Sequence, residues 1–361
     1  MIIPIALDFS KYNQDSELQH YGHDFGLLIA CLESSACVLL YNGESLSDSI
    51  LISQIELIPP KYRIRIRDLI NRIPKKRVSG WNGIIDQNLY TFPMNSNVLF
   101  GVSKYRYFYD LNLDLDEVSA RLPDNSRIEV TLWNSLQASI THQRYKALWD
   151  AGISTKDRLS VLWPTRFAAV LEALEWNSII IVDRYLCRFK NRYTFRNMEF
   201  FLKQIDRALN SQSSNTGGTN TAVKIQFVIE EGTIIQQSNE FQHYYDHTEE
   251  LIDKLDLATK TYESISEIKV YCLPSHVMQV EFHDRYMFLI PKGSDPVLFE
   301  YEIGGGFRFF GGNDRIMNAS SFHFRMFLSH RDSQVYSTFL AERPTNSPRK
   351  LERGKVRLIF S

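Results

Sequence analysis

The chain has 361 residues, 44% hydrophobic and 13% aromatic, with a formal net charge of −1. That length exceeds a typical single core, so two domains are expected, and the near-neutral charge excludes a global field drawing the chain to nucleic acid or a membrane. Four cysteines (Cys31, Cys37, Cys187, Cys272) without a C-x-x-C pair exclude a disulfide scaffold and point to a reducing cytoplasm.

In chain order, Ile2–Leu7 meets Asp8 without a basic leader and reads as a buried first strand rather than a secretory signal. Phe25–Leu40 reads as a buried helix or a helix-to-strand unit. The apolar stretch from Gly26 to Tyr41 is broken by Glu33, Ser34 and Ser35 and falls short of a membrane span. Pro59-Pro60 opens a helix to about Ile73, with Tyr62, Ile66, Leu69, Ile70 and Ile73 on one face. Strands are expected at Val98–Tyr109 and Arg127–Trp133, and helices at Ser135–Asp150 and Val161–Leu174. Ser178–Asp183 is a continuous apolar run, as in a strand buried on both faces. A helix over Asn197–Leu209 follows, then a polar loop over Ser211–Thr221. Strands at Lys224–Ile229 and Ile268–Cys272 flank a helix at Glu249–Ser264, and strands over Glu281–Leu289, Leu298–Phe310 and Ser321–Leu328 close the chain. This βαβα order argues for a parallel or mixed sheet with covering helices. The expected fold class is α/β, in two domains, 1–160 and 161–345, with 346–361 a basic, mobile C-terminal tail.

The most specific stretch is Glu281-Phe282-His283-Asp284-Arg285-Tyr286. On a strand, side chains two apart share a face, which sets His283 beside Arg285. A guanidinium fork binds a phosphate and an imidazole supplies a nucleophile or a proton. The plainer reading is an exposed edge where Asp284 pairs with a neighbouring cation. Lys61 to Arg77 carries Lys61, Arg63, Arg65, Arg67, Arg72, Lys75, Lys76 and Arg77 against Asp68 alone, +7 in a chain of −1. Such a face can track a nucleic-acid backbone or an acidic partner, or be an ordinary solvated helix face. Lys104 to Tyr109 alternates cations and aromatics, which suits base stacking or one buried aromatic face. His243 and His247 have helical ligand spacing but lack the His-Glu-x-x-His pattern. Asp110, Asp114, Asp116 and Glu117 lack the glycine of a calcium loop. No metal site and no cofactor is expected.

The second half resembles the phospholipase D-like domains found at the C-terminus of MIT-domain proteins and in bacterial conflict-system proteins. The matching pieces are Ile180-Ile181-Val182-Asp183-Arg184-Tyr185, His283-Asp284-Arg285-Tyr286 and Gly304-Gly305-Gly306-Phe307, within roughly residues 176–340. The resemblance implies a phospholipase D-like mixed sheet flanked by helices, with His283 as nucleophile toward phosphorus and Arg285 at the family's lysine position. Gly311-Gly312-Asn313 loosely matches the family's Gly-Ser-x-x-Asn segment, which implies a catalytic place for Asn313. Ile290 stands where the family has an acidic residue. A second catalytic histidine would come from a homodimer or from His323. The implied function is a cytoplasmic, metal-independent phosphodiesterase or nuclease-like effector of a prokaryotic, antiviral defence system. The alternative is a non-catalytic module that binds nucleic acid or a protein partner.

Overall fold

Apolar strands of this chain can bury both faces only inside a helix-covered sheet, and two such sheets form. The computed structural model describes residues 2–9, 21–47, 49–78, 98–102, 128–184, 192–216, 222–231, 241–282, 284–293, 296–304, 320–345 and 350–360. For 21–23, 50, 192–198, 212–216 and 241–249 the backbone alone is described. The class is α/β, and the chain divides into two compact units, 2–148 and 149–361.

The first unit runs β1 (Ile3–Asp8), α1 (Tyr21–Ser34), β2 (Cys37–Tyr41), α2 (Ile50–Ile55), α3 (Pro60–Arg72), β3 (Lys75–Arg77), β4 (Val98–Val102), β5 (Ile128–Leu132), a 3-10 turn (Trp133–Ala138) and α4 (Ile140–Trp149). Its sheet has the order β3-β2-β1-β4-β5, and every pairing is parallel. β1, at its centre, is buried along its whole length. Pro60 stands in the first turn of α3, where a missing N–H costs nothing, and Ile66, Leu69 and Ile70 form its buried stripe. Ser49 caps α2 by accepting from Ile52 N.

The second unit runs α5 (Leu159–Leu162), a π-helical turn (Trp163–Ala168), α6 (Ala169–Leu171), β6 (Trp176–Val182), α7 (Arg192–Thr216), β7 (Val223–Glu230), α8 (Phe241–Thr261), β8 (Ile265–Leu273), α9 (Ser275–Val280), β9 (Arg285–Pro291), β10 (Leu298–Ile303), β11 (Phe322–Phe327), α10 (Gln334–Glu342), β12 (Lys350–Arg353) and β13 (Val356–Phe360). The sheet order is β11-β10-β9-β6-β7-β8-β13-β12. β6, β7, β8 and β13 are mutually parallel, whereas β9 joins β6 antiparallel and β10 and β11 continue that way.

Several expectations are corrected here. The single helix expected over Val161–Leu174 is interrupted by the π turn, where Pro164 has no amide to donate and Ala169 N reaches back to Pro164 O. The loop expected from Ser211 begins later, because α7 continues to Thr216; Asn210 and Asp206 are bonded to Ser264 and hold that end of the helix. The strand expected from Glu281 starts only at Arg285, because residues 275–280 are helical and Glu281 N donates to Val277 O. The segment expected as a mobile tail is a hairpin, with β13 adding to the parallel ladder of β8 and burying Val356, Leu358 and Phe360.

The hairpin turns at Gly354, whose φ of 57° suits glycine and whose missing Cβ leaves room for buried Asp256 Oδ1. Gly354→Ala is therefore expected to cost about 1–3 kcal/mol, from left-handed strain plus the clash. A urea unfolding midpoint equal to the wild type would contradict this.

Candidate functional site

Burial of strand interiors leaves the strand ends for charge. At the carboxyl ends of the parallel strands in the second unit, Asp183 follows β6, Glu230 ends β7 and Ser275 follows β8. β9 is antiparallel, so its first residue, Arg285, arrives at the same edge; Val182 pairs with Tyr286, which puts Asp183 and Arg285 at the next positions. Arg285 Nε lies 3.9 Å from Asp183 Oδ1, and its Nη1 donates to Gly304 O at 2.9 Å. On the neighbouring strand, Arg184 Nε donates to Glu230 Oε2 at 3.2 Å while Ser275 Oγ donates to Glu230 Oε1. Both acids are buried, Asp183 at 3% and Glu230 at 6% exposure. Each is offset by a guanidinium, which is what keeps a buried carboxylate tolerable.

The opposite face is different. Tyr286 packs with Ile180, Val182, Phe288, Tyr336 and Phe339 in an apolar cluster, and burial, with Glu302, Asp284 and Glu300 nearby, pushes its hydroxyl up to about 12. Glu300 is buried and raised by desolvation first, with Ser333 Oγ donating to it at 2.6 Å.

Of the residues singled out in the sequence, Arg285 stands in this edge cluster. His283 and Asn313 lie outside the described residues, as do Lys104 to Tyr109, Asp110, Asp114, Asp116 and Glu117. Positions 243 and 247 fall on α8, their side chains outside the description. His323 does not complete the site within one chain. It pairs across Glu302 to Tyr286, and directly opposed residues share a face, so it projects from the face opposite Arg285, where Nδ1 meets Asp150 Oδ1 at 2.9 Å. The sequence does not single out the Arg184–Glu230–Ser275 group, since its members are 46 and 45 residues apart; the usable signal is a polar residue closing each apolar strand.

The basic stretch is brought together on α3 and the edge strand β3, and carboxylates among the described residues meet several of its cations. Arg63 and Arg67 reach Glu56, Arg65 reaches Glu33 and Arg72 reaches Asp68, at 2.8–3.5 Å. These are exposed pairs that contribute little to stability. Lys75 is pulled down to about 8 by burial, although its ammonium donates to Asn71 O and Ile73 O at 2.8 Å each. Arg77 is exposed and Lys76 half-buried on β3.

Two further polar groups are buried in the first unit. Asp8 closes β1 at 1% exposure and accepts from Gln54 Nε2, whose amide oxygen accepts from Phe9 N. Ser35 Oγ and His142 Nε2 are 2.8 Å apart, with Cys31 Sγ 3.7 Å from the same hydroxyl. At 1%, 4% and 0% exposure for Ser35, His142 and Cys31, this chain of groups is out of reach of a substrate and ties α1 to α4. Burial lifts the Cys31 thiol to about 11. Among the described residues no three His, Cys, Asp or Glu gather to hold a metal, and no helix is long and apolar enough to cross a membrane.

The fold and site together define an α/β protein with a charged sheet edge. The chain matches no protein-family model, no curated protein and no solved structure.

Two outcomes follow from this geometry. Arg285→Met removes the cation beside buried Asp183 and is expected to cost about 1–3 kcal/mol, with Asp183→Asn/Arg285→Met recovering most of it; a double variant no more stable than the single, in urea titrations, would contradict the pairing. Burial lowers His142 below its ordinary 6.5, with Lys146 adding to the effect. The unfolded chain then binds more protons than the folded one just below that value, so stability falls with acid. Stability lost between about pH 7 and about pH 5 should shrink in His142→Gln, and an unchanged loss would count against it.

Proposed function

We propose that the second unit is a metal-independent phosphodiesterase of the phospholipase D-like kind, acting on nucleic acid as a cytoplasmic effector in a prokaryotic antiviral defence system. The observation that supports this most is the fixing of Arg285 by the Gly304 carbonyl and Asp183 at the carboxyl edge of the sheet, where α/β folds gather their ligands. A guanidinium already held in place binds a phosphate with little further loss of side-chain freedom. In this reading a His283 ring nitrogen attacks phosphorus, the bond to the leaving oxygen breaks, and that oxygen takes a proton from a second histidine. Water then attacks the phosphohistidine and frees the nitrogen. His323 is on the other face, so a homodimer supplies the second His283. Asn313 is assigned a place beside the phosphate by the resemblance, and the α3–β3 cations steer the nucleic acid.

A second reading has an observation of its own. Arg285 is already engaged by a carbonyl and a carboxylate, which suits an inert fold that binds nucleic acid or a protein partner without turnover.

Nuclease and phosphodiesterase assays in EDTA separate the two. Wild-type activity that vanishes in His283→Ala, with the circular dichroism spectrum unchanged, is the expected result. Activity that survives in His283→Ala would overturn the phosphohistidine step. Nucleic-acid binding without turnover, falling steeply with salt, would favour the inert module.

A further inference from the structure

We propose that Arg184 is a second phosphate-binding guanidinium, positioned by Glu230, and that the edge site takes a nucleic-acid strand whose neighbouring phosphates meet Arg285 and Arg184, rather than a lone phosphate ester. The inference rests on the phosphate reading of Arg285 and deepens it.

Consecutive residues at the end of β6 carry opposite charges, and each completes a pair with a different neighbour. Asp183 meets Arg285 on β9, and Arg184 meets Glu230 on β7. Arg285 stands on β9 beside Asp183, whereas Arg184 extends from the end of β6 to Glu230, which the Val182–Val228 pairing places on the opposite face of the sheet, so the two guanidiniums lie on either side of the carboxyl end of β6. A polyphosphodiester repeats its charge along the backbone and can meet both cations at once; one phosphate group is compact.

The carboxylates anchor, and the guanidiniums reach outward. The side chains of Asp183 and Glu230 are 4% and 8% exposed, whereas those of Arg285 and Arg184 keep 16% and 18%. Glu230 is gripped from two directions, by Arg184 Nε and by the Ser275 hydroxyl from the start of α9. That grip fixes the plane of the Arg184 fork, and a planar fork is the group that binds phosphate with two parallel hydrogen bonds. Glu230 and Ser275 are positioning residues in this scheme and touch no substrate.

The test is binding of a fluorescein-labelled oligothymidylate to the full chain across a sodium chloride titration. Wild type is compared with Arg285→Gln, Arg184→Gln and Arg184→Gln/Glu230→Gln; the double variant removes the carboxylate that the single leaves without its cation. Both Arg184 variants are expected to bind several-fold more weakly and to lower the slope of log affinity against log salt by about 0.7, one phosphate contact on a single strand. Thymidine monophosphate should bind wild type and the Arg184 variants alike. If Arg285→Gln weakens the oligonucleotide while the Arg184 variants keep affinity and slope, Arg184 is a structural ion pair and the inference fails, with the phosphate reading intact. Equal losses on the mononucleotide would put both guanidiniums on one phosphate and overturn the strand assignment. No binding by wild type, or no effect of Arg285→Gln, would bring down the phosphate reading and the inference with it.

Discussion

A strand buried on both faces admits almost no unpaired polar side chain, and both sheets are built around one. In β6, Ile179, Ile180, Ile181 and Val182 are each at most 1% exposed, and in β1 the residues from Ile3 to Asp8 are all buried. Each such side chain contributes about 1.5–3 kcal/mol by leaving water, and a charge placed among them would forfeit more than that. Chemistry-bearing groups are therefore displaced to where the ladder ends. Asp8 and Asp183 each stand at the end of such a strand. They remain buried themselves, so each needs a fixed partner: Gln54 for one, Arg285 for the other.

Strand direction then decides which residues meet. Had β9 joined β6 in parallel, its carboxyl end would have come to the edge, bringing Pro291 there. Its antiparallel entry brings Arg285 instead. The connections allow this, because long helices carry the chain between the parallel strands β6, β7 and β8, while β9, β10 and β11 pair antiparallel in succession. The same alternation that unites Asp183 with Arg285 sends Tyr286 and His323 to the other face, while Tyr301, Phe322 and Phe324 pack with Phe167 on the Arg285 face, so aromatic side chains cover both faces here.

Much of this architecture could be read in the residue pattern, and the failures have physical causes. The run Ser178–Val182 announced a strand buried on both faces, and the spacing of Ile66, Leu69 and Ile70 announced α3. Those signals are local, and burial enforces them. The C-terminal hairpin was hidden because Lys350, Glu352 and Arg353 look like a solvated tail, whereas they belong to an outer edge strand that charge protects from further pairing. Helix through Ser211 was hidden because its polar sequence lacks an apolar stripe, and side-chain bonds to a distant serine hold that end. For the site, Arg285 was legible through its neighbours in sequence. Glu230 and Ser275 were not, because their relation to Arg184 exists only once three parallel strands lie side by side.

The two contacts of Arg285 do different work. The Gly304 carbonyl lies 2.9 Å from Nη1, within hydrogen-bond range, whereas Asp183 stands 3.9 Å from Nε. The carbonyl orients the fork without cancelling its charge; the carboxylate offsets that charge without dictating the plane. That separation keeps the guanidinium cationic and fixed together, the combination an anion site needs. It depends on the backbone: Gly304 N donates to Ser321 O at 3.2 Å, and a Cβ at residue 304 would meet only the rotatable Ser321 hydroxyl at close range. The ladder between β10 and β11 thus sets where the Gly304 carbonyl faces β9, and the aim of Arg285 rests on that backbone pairing.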